Sequence, residues 1–259
     1  MVKKAILLCL VGILSVPLYG CSSNDTEAAK ESKPVEIYLT RHGKTMLNNT
    51  DRVQGWADAP LTEDGIEVVQ FLGEGLKDIK FEKVYSSDSG RAIETAKIVL
   101  DKSGQSDLEI IQRKELRESC FGEFEGELNS TFREELAKAN NMTIEEFMQR
   151  FDVDVMLDTC KKIDKSKQAE STEEVSKRIR SEVDKIIEEA SKDGGGNVLL
   201  VSHGISLMGL LYTIEPEALN EVEEGLHNAS VSKIVYKDGK YSVESVNDMS
   251  YVEKGKDKK

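Results

Sequence analysis

Two of the three histidines in this chain sit in the same local setting, Thr40-Arg41-His42-Gly43 and Val201-Ser202-His203-Gly204. Each follows a run of β-prone residues and precedes a glycine, as a strand does where it ends and the chain turns. In an open α/β sheet, ligands bind outside the carboxyl ends of the strands. Two strands ending this way could therefore turn both imidazoles toward one site. An imidazole can act there as nucleophile, as proton carrier or as donor to an anionic oxygen, all near neutral pH. Either histidine alone is better explained as an ordinary strand-end residue; the argument rests on the pair.

The elements needed to position such a pair are legible. Val35–Thr40, Lys83–Ser86, Leu108–Gln112 and Asn197–Ser202 read as strands, and Val231–Tyr236 with Tyr241–Val246 as a closing hairpin turning at Asp238-Gly239. Thr62–Lys77 places Ile66, Val69, Leu72 and Leu76 near helical spacing, and Asp88–Lys102 is a second helix ending at Gly104. Ser171 with Glu174 resembles a capping box opening an amphipathic helix through Val175, Ile179, Val183, Ile186 and Ile187, stopped by Gly194-Gly195-Gly196. Strands alternating with helices predict an α/β fold: a three-layer α/β/α sandwich around a mostly parallel sheet. Residues 128–170 are helical and polar without strand signals, and are expected to form a small insertion over one end of the sheet.

With 39% hydrophobic and 32% charged residues, the 259-residue chain can bury one sizeable core. The formal charge of −13 argues against nucleic acid as a partner and would repel an anionic substrate, so an anion site must depend on local Arg and His. No Cys and His spacing suits a metal ion.

Beyond the two histidines, a longer constellation carries a resemblance. Arg41-His42-Gly43-Lys44-Thr45, Asn48, Gln54-Gly55-Trp56-Ala57-Asp58-Ala59-Pro60-Leu61-Thr62 and Gly65 form one block. Ser86-Ser87-Asp88-Ser89-Gly90-Arg91-Ala92 with Thr95-Ala96, Leu116-Arg117-Glu118 with Gly122 and Glu125-Gly126, His203-Gly204, and Asn247-Asp248 follow in order. Together, from about Val35 to Tyr251, they resemble the histidine phosphatase superfamily, the family of phosphoglycerate mutases and acid phosphatases. Two positions depart from its pattern: Ser89-Gly90 replaces an apolar residue before the second arginine region, and Tyr251 stands where a histidine often closes the domain.

The resemblance implies phosphoryl transfer through a phosphohistidine at His42, with Arg41, Arg91, His203 and Asn48 clamping the phosphoryl oxygens. It also implies that Glu118 protonates the leaving alkoxide and then helps water attack the phosphoenzyme, which requires it to enter the reaction protonated. The chemistry fits: a planar guanidinium binds phosphoryl oxygens in pairs, and the arginines supply positive charge without a metal or other cofactor. His203 is thus expected both to bind phosphate and to assist catalysis. Thr45 and Arg52, in the first block, are placed to touch substrate, and Arg52 is placed equally to orient its own loop; His227 reads as structural, and Trp56 as packing.

The chain's amino terminus reads as a targeting segment: Lys3 and Lys4, an apolar stretch from Ala5 to Val16, then Leu18-Tyr19-Gly20-Cys21. It resembles a bacterial lipoprotein signal, with residues 1–20 removed, Cys21 lipidated, and residues 21–33 a polar tether. The enzyme is then expected outside the cytoplasm, lipid-anchored to the cell membrane, with residues 34–252 as the phosphatase domain and 253–259 as a solvated tail. Cys120 and Cys160 read as unpaired, although a bridge is open in an oxidising compartment. Three functions remain: a phosphatase acting on small phosphomonoesters, a phosphoglycerate mutase, and a binding lipoprotein without turnover. The first is preferred, because mutases of the family carry paired arginines after the acid motif where residues 128–135 hold only Arg133, and because export would separate a mutase from its substrate. Lys138, Phe147, Arg150 and Phe151 are candidates for the specificity rim. Nothing in the pattern indicates an oligomeric state.

Overall fold

The computed structural model describes residues 33–149, 152–220, 222 and 225–258. The leader, Cys21, nearly all of the tether, and Arg150 and Phe151 lie outside the described residues.

In chain order the elements are β1 (Val35–Arg41), α1 (Met46–Asn49), α2 (Glu63–Gly75), β2 (Phe81–Ser87), α3 (Gly90–Ser103) and β3 (Ile110–Arg113). Three helices of the insertion follow, α4 (Asn129–Ala139), α5 (Ile144–Gln149) and α6 (Val153–Ile163). The chain ends with α7 (Thr172–Lys192), β4 (Gly196–Ser202), α8 (Gly204–Ile214), β5 (Val231–Lys237), β6 (Lys240–Asp248) and α9 (Ser250–Lys256). The strands form one six-stranded sheet in the order β3-β2-β4-β1-β5-β6. Pairings β3·β2, β2·β4 and β4·β1 are parallel; β1·β5 and β5·β6 are antiparallel.

Local rules explain most boundaries. Thr62 caps α2 through Gly65 N–H, and Ser171 and Glu174 make the reciprocal capping box of α7. Gly104 ends α3 in the left-handed region, and Asp238 and Gly239 turn the hairpin with φ of 52° and 78°, as a type I′ turn requires.

Alternation along the central strands fills both faces. Ile37, Leu39, Val198 and Leu200 pack with Ile179, Val183 and Ile186 of α7 and Leu207, Leu210 and Leu211 of α8. Tyr38, Val84, Leu199 and Val201 pack with Val69 and Leu72 of α2 and Ala96 and Val99 of α3. Each fully buried aliphatic side chain contributes about 1.5–3 kcal/mol relative to exposure.

Two expectations are corrected. The solvated tail is in part a helix: α9 lies against α2, with Val252 and Gly255 buried. Glycine allows that approach, since a Cβ at Gly75 would lie 1.8 Å from the Tyr251 carbonyl and one at Gly255 1.8 Å from that of Phe71. Nor is the insertion merely polar. Phe132, Leu136, Ala137, Phe147, Met156, Leu157 and Cys160 form a third cluster with Val53, Phe121 and Phe124, so the insertion is seated by its own apolar core. Its short helices hide that face from a pattern reading, because six to eleven residues hold too few turns for a clear period.

Candidate active site

The site forms where β2, β4 and β1 end side by side. Arg41 and Ser202 are register partners across the β1·β4 pair, and the His42 N–H donates to the Ser202 carbonyl at 3.0 Å. His42 and the α8 N-cap His203 are thereby brought together, ring centroids 5.2 Å apart and planes at 61°. Arg91 arrives from the first turn of α3, just beyond β2 on the other edge of β4.

Hydrogen bonds fix how each imidazole presents itself. His42 Nδ1 lies 2.8 Å from the Gly43 carbonyl, which can only accept, so Nδ1 carries the proton and Nε2 keeps its lone pair. Burial, and the nearby Arg91 and Arg41 charges, hold His42 well below its ordinary 6.5, so the ring is neutral at neutral pH; the bond to Gly43 opposes this less strongly. His203 is the converse. Arg91 Nη2 lies 2.9 Å from its Nδ1 and can only donate, so the neutral ring carries its proton on Nε2. Burial first, then Arg91, holds His203 well below 6.5 as well. One ring offers a nucleophilic nitrogen and its neighbour an N–H donor.

Arg91 is 1% exposed. Nη1 donates to the Ala57 carbonyl at 2.9 Å and to Asp58 Oδ1 at 3.0 Å, and Nη2 to the Gly55 carbonyl at 2.7 Å. The loop carrying those carbonyls is organised by Glu125, whose carboxylate accepts from the N–H groups of Gly55, Trp56, Ala57 and Phe121 at 2.8–3.0 Å. Glu125 and Asp58 stand inside the blocks that carried the resemblance, but their part in holding Arg91 was not anticipated. Asn228 is a further addition, its amide donating to the His42 carbonyl at 2.9 Å.

Glu118 is buried at the amino end of α8. Its Oε1 accepts from Ser119 N–H at 3.0 Å and Ser206 N–H at 2.8 Å, and Oε2 from Ile205 N–H at 3.0 Å. Several buried donors have no partner among the described residues: Arg41 Nε, Arg91 Nε, His203 Nε2 and Gln54 Nε2. An unmet buried donor costs about 1–3 kcal/mol. A cluster of them beside a neutral histidine suits a ligand rich in anionic oxygens.

Beside these groups lies a cavity of about 790 Å³. Its polar lining includes Arg41, Asn48, Arg52, Gln54, Glu118 and Arg133, and its apolar lining includes Phe121, Phe132, Leu136, Met156, Met208 and Leu226. Asn48 Oδ1 is committed to the Thr45 N–H, which leaves its amide as the end for a ligand. Arg52 reaches the cavity while holding the Gly126 carbonyl at 2.8 Å. Thr45 does not line it. It is fully buried, its hydroxyl accepting from Asn48 N–H and donating to Gln54 Oε1 at 2.6 Å, so it supports the loop where substrate contact was expected. His227 is likewise structural, its Nδ1 3.0 Å from the Asn247 amide. Trp56 is 44% exposed, stacks under Arg117 and donates from Nε1 to the Glu118 carbonyl at 3.0 Å. Cys120 and Cys160 are free and buried.

Residues 37–249 match the family model of the histidine phosphatase superfamily, branch 1. A crystal structure of phosphoglycerate mutase from Bacillus anthracis str. Sterne is 53% identical, covering 87% of this chain and 98% of its own, with a TM-score of 0.82. YhfR of Bacillus stearothermophilus is 29% identical with a TM-score of 0.67, covering 84% of this chain and 99% of its own. Among curated proteins, the probable phosphoglycerate mutase GpmB of Yersinia pestis (strain Pestoides F) is 29% identical over 225 residues, 85% of this chain and 95% of the relative. With a matched span running through the sheet and every strand end of the site, this chain is an enzyme of the histidine phosphatase superfamily, whose members are phosphatases or mutases.

Proposed function

We propose that the protein hydrolyses phosphomonoesters through a phosphohistidine at His42. The observation that carries this reading is a neutral, backbone-held His42 with its Nε2 lone pair free, set among buried donors that lack partners. In the first step His42 Nε2 bonds to phosphorus as the ester P–O bond breaks, and the leaving oxygen takes the proton of Glu118. In the second, the Glu118 carboxylate takes a proton from water as the water oxygen bonds to phosphorus, the P–N bond breaks, and phosphate leaves. Arg41, Arg91, Asn48 and His203 Nε2–H offset the charge on the non-bridging oxygens without a metal ion.

The apolar wall of the cavity supports an ester whose alcohol is uncharged and largely apolar. A mutase acting on phosphoglycerate must also bind a carboxylate. Away from the phosphate donors, the cations among the described lining residues are Arg52, already bonded to Gly126, and Arg133. The name of the 53% identical relative favours the mutase as the second reading. The two are told apart by assaying the purified full chain with chelator on aryl phosphates, alkyl phosphates and 3-phosphoglycerate. Phosphate release fastest from the apolar esters is expected. Interconversion of phosphoglycerates without phosphate release establishes the mutase, and silence on every ester leaves a binding protein.

The electrostatics predict an acid-tolerant rate. His42 must be neutral to attack, and because its pKa is depressed it stays neutral as pH falls through 6.5. The kcat/KM profile for nitrophenyl phosphate should therefore lack a downturn near 6.5, once the substrate's own ionisation is accounted for. An enzymic acid limb at 6.5 or above contradicts the nucleophile described.

A further inference from the structure

We infer that Arg178 and Glu170 are a positioning pair for Glu118, setting how well the leaving group is protonated. The inference rests on the proton-donor role just proposed for Glu118. Residues 115–120 lie beyond β3 in a single 3-10 turn and an irregular stretch, so their carbonyls have no strand ladder to satisfy them. Side chains do it instead. Arg178 Nη1 donates to the Glu115 and Arg117 carbonyls at 2.8 and 2.9 Å, and Nη2 to that of Glu118 at 3.2 Å. The rest of the guanidinium grips Glu170, Nε to Oε1 and Nη2 to Oε2, both at 2.7 Å.

Glu170 in turn binds the same stretch from its far side. Its Oε2 accepts from the Cys120 N–H and its own N–H donates to the Cys120 carbonyl, each at 3.0 Å. One ion pair therefore holds the backbone both before and after the carboxyl group that must meet the leaving oxygen. Neither residue is among those lining the cavity. The planar fork is what permits this: five donors in one rigid plane can bind a carboxylate side-on and still reach carbonyls, which an ammonium on a flexible stem cannot reproduce. Because Arg178 comes from the first half of α7 and Glu170 from the end of the insertion, leaving-group protonation is tied to how these elements pack.

The test is a comparison of kcat/KM on nitrophenyl phosphate, whose leaving group departs without a proton, and on an alkyl phosphate, whose leaving group needs one. Arg178→Met is expected to lose about 100-fold on the alkyl ester, the scale of a misplaced catalytic group, and no more than about threefold on the aryl ester. Glu118→Gln should show the same split, and adding Arg178→Met to it should cost nothing further. Inhibition by inorganic phosphate, which reads the Arg41, Arg91 and His203 end, should not change. Arg178→Lys and Glu170→Gln keep the charge or the shape and guard against a variant that does not fold; both should show the split in weaker form. Equal losses on the two esters, full additivity with Glu118→Gln, or a wild-type Arg178→Lys overturns the positioning role. Wild-type and His42→Ala rates in the same series judge the functional reading separately.

Discussion

Replacing His42 by Ala should lower phosphate release by about four orders of magnitude or more, because catalysis without the nucleophile must proceed by direct attack of water. The loss should fall on aryl and alkyl esters alike, unlike that of Glu118→Gln, since both substrates must pass through the P–N bond. Rapid quenching of the wild type with radiolabelled substrate should trap an acid-labile, base-stable phosphoenzyme that His42→Ala does not form. His42→Ala should still bind inorganic phosphate, because Arg41, Arg91 and His203 are untouched. A variant retaining turnover within tenfold of wild type would assign the nucleophile elsewhere, and a trapped phosphoenzyme in that variant would point to the wrong histidine.

Arg91→Ala should cost about 1,000-fold in kcat/KM, the lower end of what a charge-stabilising arginine contributes to phosphoryl transfer. Two effects combine. The phosphoryl oxygens lose a buried cation, and His203 loses the donor that holds Nδ1 as acceptor and Nε2 as the protonated nitrogen. Arg91→Lys separates them, since an ammonium keeps the charge but cannot bond at once to Gly55, Ala57, Asp58 and His203. Most of the loss should persist in the lysine variant, together with weaker inhibition by inorganic phosphate. Near-normal activity in Arg91→Lys would mean that charge alone matters and that the tautomer of His203 does not. A thermal unfolding curve for each variant distinguishes these outcomes from loss of the fold, which is a real cost here because the Gly55 and Ala57 carbonyls would lose their donor.

What was legible lay in short-range signals. The Ser171 and Glu174 capping box, the Asp238-Gly239 turn and the Gly104 stop depend on residues a few positions apart, so their chemistry is written locally. The apolar runs before His42 and His203 marked buried parallel strands, and a shared strand-end pattern suggested one site for both. Less accessible were contacts that join distant segments. The Glu125 carboxylate reaches amides some 70 residues earlier, and the Gly75 and Gly255 crossing joins two helices at opposite ends of the domain. Thr45 shows the limit at single-residue scale: its place in the motif was plain, but whether its hydroxyl faced substrate or Gln54 depended on how the loop packed.

The sequence by itself determined the strand order, the helices α2, α3 and α7 between the strands, the placement of both histidines at strand ends and the type of chemistry they could support. These follow from hydrophobic period, capping and turn residues, which act over one or two turns of chain. Only the tertiary structure decided which nitrogen of each imidazole is free, what holds Arg91 and Glu118 in place, and that the cavity beside them has an apolar wall. Apart from the His42 tautomer, which the carbonyl of the next residue sets, these depend on groups far apart in sequence meeting within hydrogen-bond or van der Waals distance. That meeting is set by sheet register and helix packing rather than by any local pattern.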